Sequence, residues 1–175
     1  MRHDASQPHL IQPKGRVEFR IVTDSDQGFL FDVFADTREW EFENPLWTEI
    51  EKRDFLKMQF EVRERSYTLN NLGAVHRIIQ LDGEDIGVIR LNRQDHQLYI
   101  IDFALLSAYR GQGVGSDILK TLLNEAFNGR VPARLQAERM SPAVAFYQRH
   151  GFQIVDMAGH HVLMEWQPED AFREI

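Results

Sequence analysis

The chain of 175 residues contains no cysteine. That absence excludes disulfides, thiolate nucleophiles and cysteine-held zinc or iron–sulfur centres. It fits a reducing compartment, and the expected location is the cytoplasm. No apolar run approaches the roughly 18 residues that a membrane span needs, so no membrane partner is expected. Residues 1–15 are polar, include two prolines and lack the apolar core of a secretory leader. They are read as a flexible N-terminal tail, and 16–175 as one domain, a length that buries about 70% of the unfolded chain's surface. Positive charge is also scarce: 20 lysines and arginines face 27 acids, for a net charge of −7. No basic stripe is offered to a phosphate backbone, so nucleic acid is not an expected partner. Internal repeats and low-complexity segments are missing too.

What is present begins with an uneven charge. Between Asp24 and Glu64 stand twelve carboxylates against five cations. This is read either as a pair of solvated helix faces or as an entry surface for a cationic substrate. The seven histidines form no His-x-x-x-His pair. His160 and His161 are neighbours in a predicted hairpin, where adjacent side chains point to opposite faces. No metal site is expected.

Hydrophobic period outlines the elements. Residues 17–22 alternate as a strand. Thr23 to Asp26 offers capping side chains for a helix running to about Trp40. Thr48-Glu49-Ile50-Glu51 is a capping box ahead of a second helix, with Phe55, Met58, Gln59 and Val62 at helical spacing up to about Tyr67. Residues 75–81, 86–91 and 98–106 read as three consecutive antiparallel strands. Asp82-Gly83 joins the first two, a strong hairpin signal, and 92–95 joins the next. A strand at 133–138 leads to Ser141-Pro142, a helix start, with Ala143, Phe146, Tyr147 and His150 on one face. Gly151 ends that helix, and 152–157 and 161–166 form a last hairpin around Gly159. The fold class is mixed α/β on one sheet. Trp40, Phe42 and Trp47 lie between the first two helices, lining an acceptor pocket or folding back as an aromatic plug.

The richest signal is Tyr109-Arg110-Gly111-Gln112-Gly113-Val114-Gly115-Ser116, between a strand and an amphipathic run. A glycine turn entering a helix lets several N–H groups converge on an anion, aided by about half a positive charge at the helix N-terminus. A nucleotide-hydrolysing loop needs Gly-Lys-Ser/Thr, and no lysine precedes Ser116. A dinucleotide loop needs Gly-x-Gly-x-x-Gly within a parallel βαβ unit, and neither spacing nor context agrees.

Arg110, Gly113 and Gly115 instead match Arg/Gln-x-x-Gly-x-Gly/Ala. Together with Ala-x-x-Phe-Tyr-x-x-x-Gly-Phe at 143–152, the chain resembles the GNAT (Gcn-five-related N-acetyltransferase) superfamily over about 17–166. The resemblance implies a mostly antiparallel central sheet flanked by helices and splayed between its fourth and fifth strands. It implies acetyl-CoA as acyl donor. The amides of Gly111, Gln112, Gly113, Val114, Gly115 and Ser116, with Arg110, would hold the pyrophosphate. Ala104, Leu105 and Leu106 would pair with the pantetheine arm. One departure is Ser141, where relatives often carry asparagine; serine still caps the helix but reaches less far. Homodimers are common in the family.

The implied reaction moves the acetyl group directly to a primary amine of a small molecule or peptide. The amine must lose a proton, since at a pKa of about 10.4 only about one part in a thousand is neutral at pH 7. The oxyanion needs donors and the leaving thiolate a proton. By resemblance Tyr147 is the proton donor, although its place in the buried stripe also gives it a packing role. Asp102 shares a predicted strand face with Leu98, Ile100 and Ala104, where a carboxylate must be paired, solvated or shifted in pKa. It is a candidate base, and Glu138 is a second; a base acting through water is also compatible. The rival reading is an acyl-CoA-binding module without catalysis.

Overall fold

The computed structural model describes residues 15–42, 47–70 and 72–168, leaving aside the side chains of Trp40 and Glu41. The expected tail, apart from Gly15, lies outside the described residues. The elements are β1 (Val17–Ile21), α1 (Gln27–Thr37), α2 (Glu49–Asn70), β2 (Val75–Leu81), β3 (Glu84–Gln94), β4 (Gln97–Leu105), α3 (Val114–Gly129), β5 (Ala133–Glu138), α4 (Ala143–Gln148), β6 (Gln153–Ala158) and β7 (His161–Trp166). The order is the one the sequence predicts. They form a seven-stranded sheet ordered β1-β2-β3-β4-β5-β7-β6. Every neighbouring pair is antiparallel except β4–β5.

Local chemistry sets the boundaries. Thr48 Oγ1 accepts from the Glu51 amide at 3.3 Å while Glu51 Oε2 accepts from the Thr48 amide at 2.9 Å, the reciprocal cap that starts α2. Asp82 (φ 52°) and Gly83 (φ 86°) are both left-handed, as the tight β2–β3 turn demands. Helix α1 stops at Thr37, before Trp40, because the Arg38 amide bonds three residues back to the Ala35 carbonyl. The chain then tightens into the 3₁₀ turn Glu39–Phe42. The second hairpin turn is also shorter than expected. Residues 92–94 stay in β3, with Asn92 buried in the sheet.

Each face of the sheet carries a core. On one, α3 sets Ile118, Leu119, Leu122 and Ala126 against Ile89, Leu91, Leu98 and Ile100. On the other, Leu30, Val33 and Phe34 of α1 and Leu56 and Phe60 of α2 close over Val88.

Two irregularities position the site. First, β4 and β5 pair only from Leu98–Ile100 to Ala133–Leu135. Beyond that point both strands run on unpaired with each other, to Leu105 and Glu138, and the sheet splays as the resemblance implied. Second, Arg90 pairs with Asp102 but Leu91 pairs with Ile100, leaving Ile101 as an extra residue. This bulge inverts the side-chain alternation. Leu98 and Ile100 face α3, whereas Asp102 faces α2 alongside Ala104. The expected shared face of Asp102 with Leu98 and Ile100 is thereby corrected.

Beneath the C-terminal half of α2 lies a buried polar knot. Arg90, 7% exposed, ion-pairs with Glu64, donates to His76 Nδ1 at 2.7 Å and sits 4.7 Å from the Tyr67 ring centre. Burial and, next, the Arg90 charge depress the His76 pKa to about 4. An unfolded histidine titrates near about 6.5. Between those values the unfolded chain binds a proton that the native one refuses, so His76 costs stability as pH falls from about 6.5 to about 4. His76→Gln keeps an acceptor for Arg90 without the titration. It should lose less stability than wild type across that window, by on the order of 1 kcal/mol, in denaturant melts run at both ends. Parallel pH profiles for the two proteins would remove His76 as the cause.

Candidate active site

Two cavities open at the splay and meet. The first, about 530 Å³, lies at the mouth of the glycine loop. Its walls include Ala104 and Leu105 of β4, Arg110, Gly111, Gly113, Gly115 and Ser116 of the loop, and Ser141 and Tyr147 around α4. Gly111 (φ 71°) and Gly113 (φ 90°) hold left-handed conformations, and Gly113 is the cap residue of α3. A Cβ placed on either would meet nothing within 4 Å, so the backbone there faces open space that a ligand can approach closely. The first N–H groups of a helix have no intrahelical acceptor. Val114, Gly115 and Ser116 supply them here, at the positive end of α3. The cleft, the bare amides and the unpaired strand edge fit the pyrophosphate and amide-bearing arm of a CoA ester.

Three expected residues stand outside this lining. Leu106 turns to the α1–α2 core, its amide donating to the Ile86 carbonyl at 2.9 Å. Val114 is buried under the helix start. Gln112 braces the loop instead, Nε2 donating to the Ala108 carbonyl at 2.7 Å. Sequence reasoning missed the anchor of the loop, Asp36 on α1. Its carboxylate accepts from the Ser107 amide at 2.8 Å and the Ser107 hydroxyl at 2.7 Å, and ion-pairs with Arg110. Arg110 Nε donates to the Leu105 carbonyl at 2.7 Å. The loop arginine thus ties the end of β4 to α1.

The second cavity, about 870 Å³, lies between α2, the end of α1, β4 and β5. Asp102, Glu138, Ser141 and Tyr147 all line it, and Ser141 and Tyr147 line both cavities. Tyr147 is buried, with ring centres 5.2 Å from Phe146 and 5.5 Å from Phe152. It therefore packs in the core and also reaches the junction. Burial and, after it, the negative charge of Asp102 push its pKa well above the ordinary phenol value, so it keeps its proton. Ser141 caps α4 by accepting from the Ala143 amide at 3.2 Å.

Asp102 Oδ2 lies 3.3 Å from Arg63 Nη2, yet among the described residues no group donates a hydrogen bond to that oxygen. Arg63 is also 4.4 Å above the Phe34 ring. Glu138 is engaged by Arg38, 3.0 Å away across the cleft, which weakens its claim as a free base. The carboxylates of the acid-rich segment do not form the cavity wall. Among the described residues the segment contributes Arg38 and Arg63 and no carboxylate. Phe42, Trp47 and Phe55 pack edge to face or tilted against one another with centres 5.3–6.0 Å apart. Neither Phe42 nor Trp47 lines the cavity; Phe42 packs against the α1–α2 core, whereas Trp47 is 41% exposed. The Trp40 side chain lies outside the described residues. No group of three or more potential metal ligands and no helix long and apolar enough to cross a membrane occurs among the described residues.

A splayed, mostly antiparallel sheet with a glycine loop at its mouth is the fold of solved acetyltransferases. PaiA N-acetyltransferase from Thermoplasma acidophilum, in complex with coenzyme A, is 20% identical, covering 87% of this chain and 99% of that one, with a TM-score of 0.63. Ard1 from Thermoplasma volcanium is 17% identical over 86% and 97%, TM-score 0.55. Arabidopsis thaliana Naa50, in complex with a bisubstrate analogue CoA-Ac-MVNAL, is 18% identical over 85% and 96%, TM-score 0.52. The family model for the acetyltransferase (GNAT) family matches residues 17–152, and the chain belongs to that family.

Proposed function

We propose that the protein is an N-acetyltransferase that moves the acetyl group of acetyl-CoA directly to a primary amine. The observation that carries this reading is the position of Tyr147, at the junction of the glycine-loop cleft and the acceptor cavity. Acetyl-CoA, when bound, supplies the thioester carbonyl that an amine can attack. Gly111, Gly113, Gly115 and Ser116, with Arg110, hold the pyrophosphate. The open edge at Ala104 and Leu105 offers N–H and C=O groups to the pantetheine amides. Tyr147 donates a proton toward the departing sulfur. Asp102, whose side chain is 12% exposed in the wall of the second cavity, takes the proton of the acceptor ammonium directly or through water. Relatives of the same fold that hold coenzyme A and a CoA-linked bisubstrate analogue support the choice of donor.

The test is free-thiol release from acetyl-CoA with a panel of primary amines. Release that depends on both amine and protein, with acetylated amine found by mass, is the expected result. Tight CoA binding with no thiol from any amine would overturn the enzyme reading and leave an acyl-CoA-binding module.

A further inference from the structure

The charges of the glycine-loop cleft leave one arginine over, and the inference drawn from it rests on the reading of that cleft as the CoA site. We infer that Arg149 binds the 3′-phosphate of the donor, so that the protein selects CoA over a donor lacking this phosphate.

The lining of the cleft carries two arginines, Arg110 and Arg149, and no carboxylate among the described residues. This is local, since the chain as a whole has a net charge of −7. The charge of Arg110 is already matched. It ion-pairs with Asp36, and its Nε donates to the Leu105 carbonyl at 2.7 Å. Arg149 is exposed, and among the described residues its guanidinium has neither an ion pair nor a hydrogen bond. A guanidinium cannot shed its charge near neutral pH.

Helix α4 decides where that charge stands. Tyr147 is buried where the two cavities meet. Phe146 lies beside the glycine loop, its Cζ 3.7 Å from the place a Cβ on Gly115 would take. Arg149 caps the helix with helical dihedrals, φ −63° and ψ −16°. Three residues on from Phe146, it shares the same face one turn further along. It lines the glycine-loop cleft and not the second cavity. This wall therefore runs from the reacting end, at Tyr147, to the exposed rim, at Arg149. A CoA ester with its thioester at Tyr147 and its pyrophosphate on the loop turns its nucleotide toward that rim. The third phosphate is a monoester carrying about −1.5 to −2 charge at pH 7. The loop amides serve the pyrophosphate, and Asp36 holds Arg110. Arg149 is the cation left in the lining, and its planar fork can hold two phosphate oxygens at once.

Calorimetry compares CoA with dephospho-CoA, which differ only in this phosphate. Wild type should bind CoA at least tenfold more tightly. Arg149→Gln should cut that ratio to threefold or less, weakening CoA while dephospho-CoA stays within twofold. Arg149→Lys keeps the charge without the fork and should fall between. The wild-type ratio should also shrink from about 0.05 to about 0.5 M salt, because the contact is exposed. The residue is exposed at the helix end, so thermal melts of the variants should match wild type. Equal affinity for the two ligands in wild type overturns the inference and leaves the CoA reading standing. Equal losses for both ligands in Arg149→Gln overturn it as well, since Arg149 would then serve the pyrophosphate or the loop. Binding of neither ligand to wild type overturns the CoA reading and this inference together.

Discussion

Gly113→Asp is expected to weaken acetyl-CoA binding by more than 100-fold while the protein remains folded. Gly113 holds φ 90° as the cap of α3, a conformation that costs a side chain about 1–2 kcal/mol. The larger effect is electrostatic. A Cβ at this position projects into open space in the cleft, so the carboxylate would stand where a doubly charged pyrophosphate must lie. Gly113→Asn is the control, since asparagine tolerates left-handed backbone and carries no charge. It should lose tenfold or less by calorimetry, and circular dichroism should match wild type for both. Equal losses in the two variants would mean that the loop binds no anion. A companion change acts from a distance. Asp36→Ala removes the acceptor of Ser107 and the partner of Arg110. The loop should loosen, raising KM for acetyl-CoA about tenfold with kcat changed less than twofold. Asp36→Asn, which can keep a bond from Ser107 but not the ion pair, should fall between. A loss in kcat alone would place Asp36 outside cofactor positioning.

The element order was legible because each element carries its own local signal. Thr48 and Glu51 name a helix start, Asp82-Gly83 a left-handed turn, and Gly151 a helix stop with φ 87°. The glycine loop and the Phe-Tyr of α4 were legible because they are contiguous patterns whose chemistry depends on spacing. The acceptor side was not. Arg63, Asp102, Arg38 and Glu138 come from four elements, and the ion pairs join residues far apart in sequence. The charge excess of 24–64 was visible as composition, but orientation decides what it does. The end of α1 and helix α2 turn Arg38 and Arg63 inward, and the described carboxylates of the segment stay out of the cavity wall. The face of Asp102 was misread for a simpler reason. The bulge at Ile101 has no glycine or proline to announce it, and one extra residue exchanges the two faces of a strand. A subtler mark was available at Gly87, a glycine inside β3. A Cβ there would come within 2.3 Å of the Ala104 carbonyl oxygen, so only glycine lets β3 lie this close to the end of β4 that borders the cleft.

Tyr147→Phe is expected to lower kcat by about 100-fold, the usual range for loss of a general acid, with acetyl-CoA affinity unchanged within about twofold. Phenylalanine keeps the ring contacts to Phe146 and Phe152 and removes only the hydroxyl, so thermal stability should change little. The hydroxyl's pKa is raised, first by burial and then by the Asp102 charge. The sign matters for the rate profile. A raised pKa keeps the phenol protonated beyond about pH 10, so its deprotonation cannot produce a basic limb below that point. The rate should therefore rise with pH as the acceptor amine loses its proton, in wild type and variant alike, with the variant's curve displaced downward but parallel. Wild-type turnover in the variant would return Tyr147 to a packing role. A variant that loses CoA affinity as well as kcat would show that the hydroxyl binds donor rather than supplying a proton. Because Tyr147 lines both cavities, the ratio of these two losses separates its part in binding from its part in transfer.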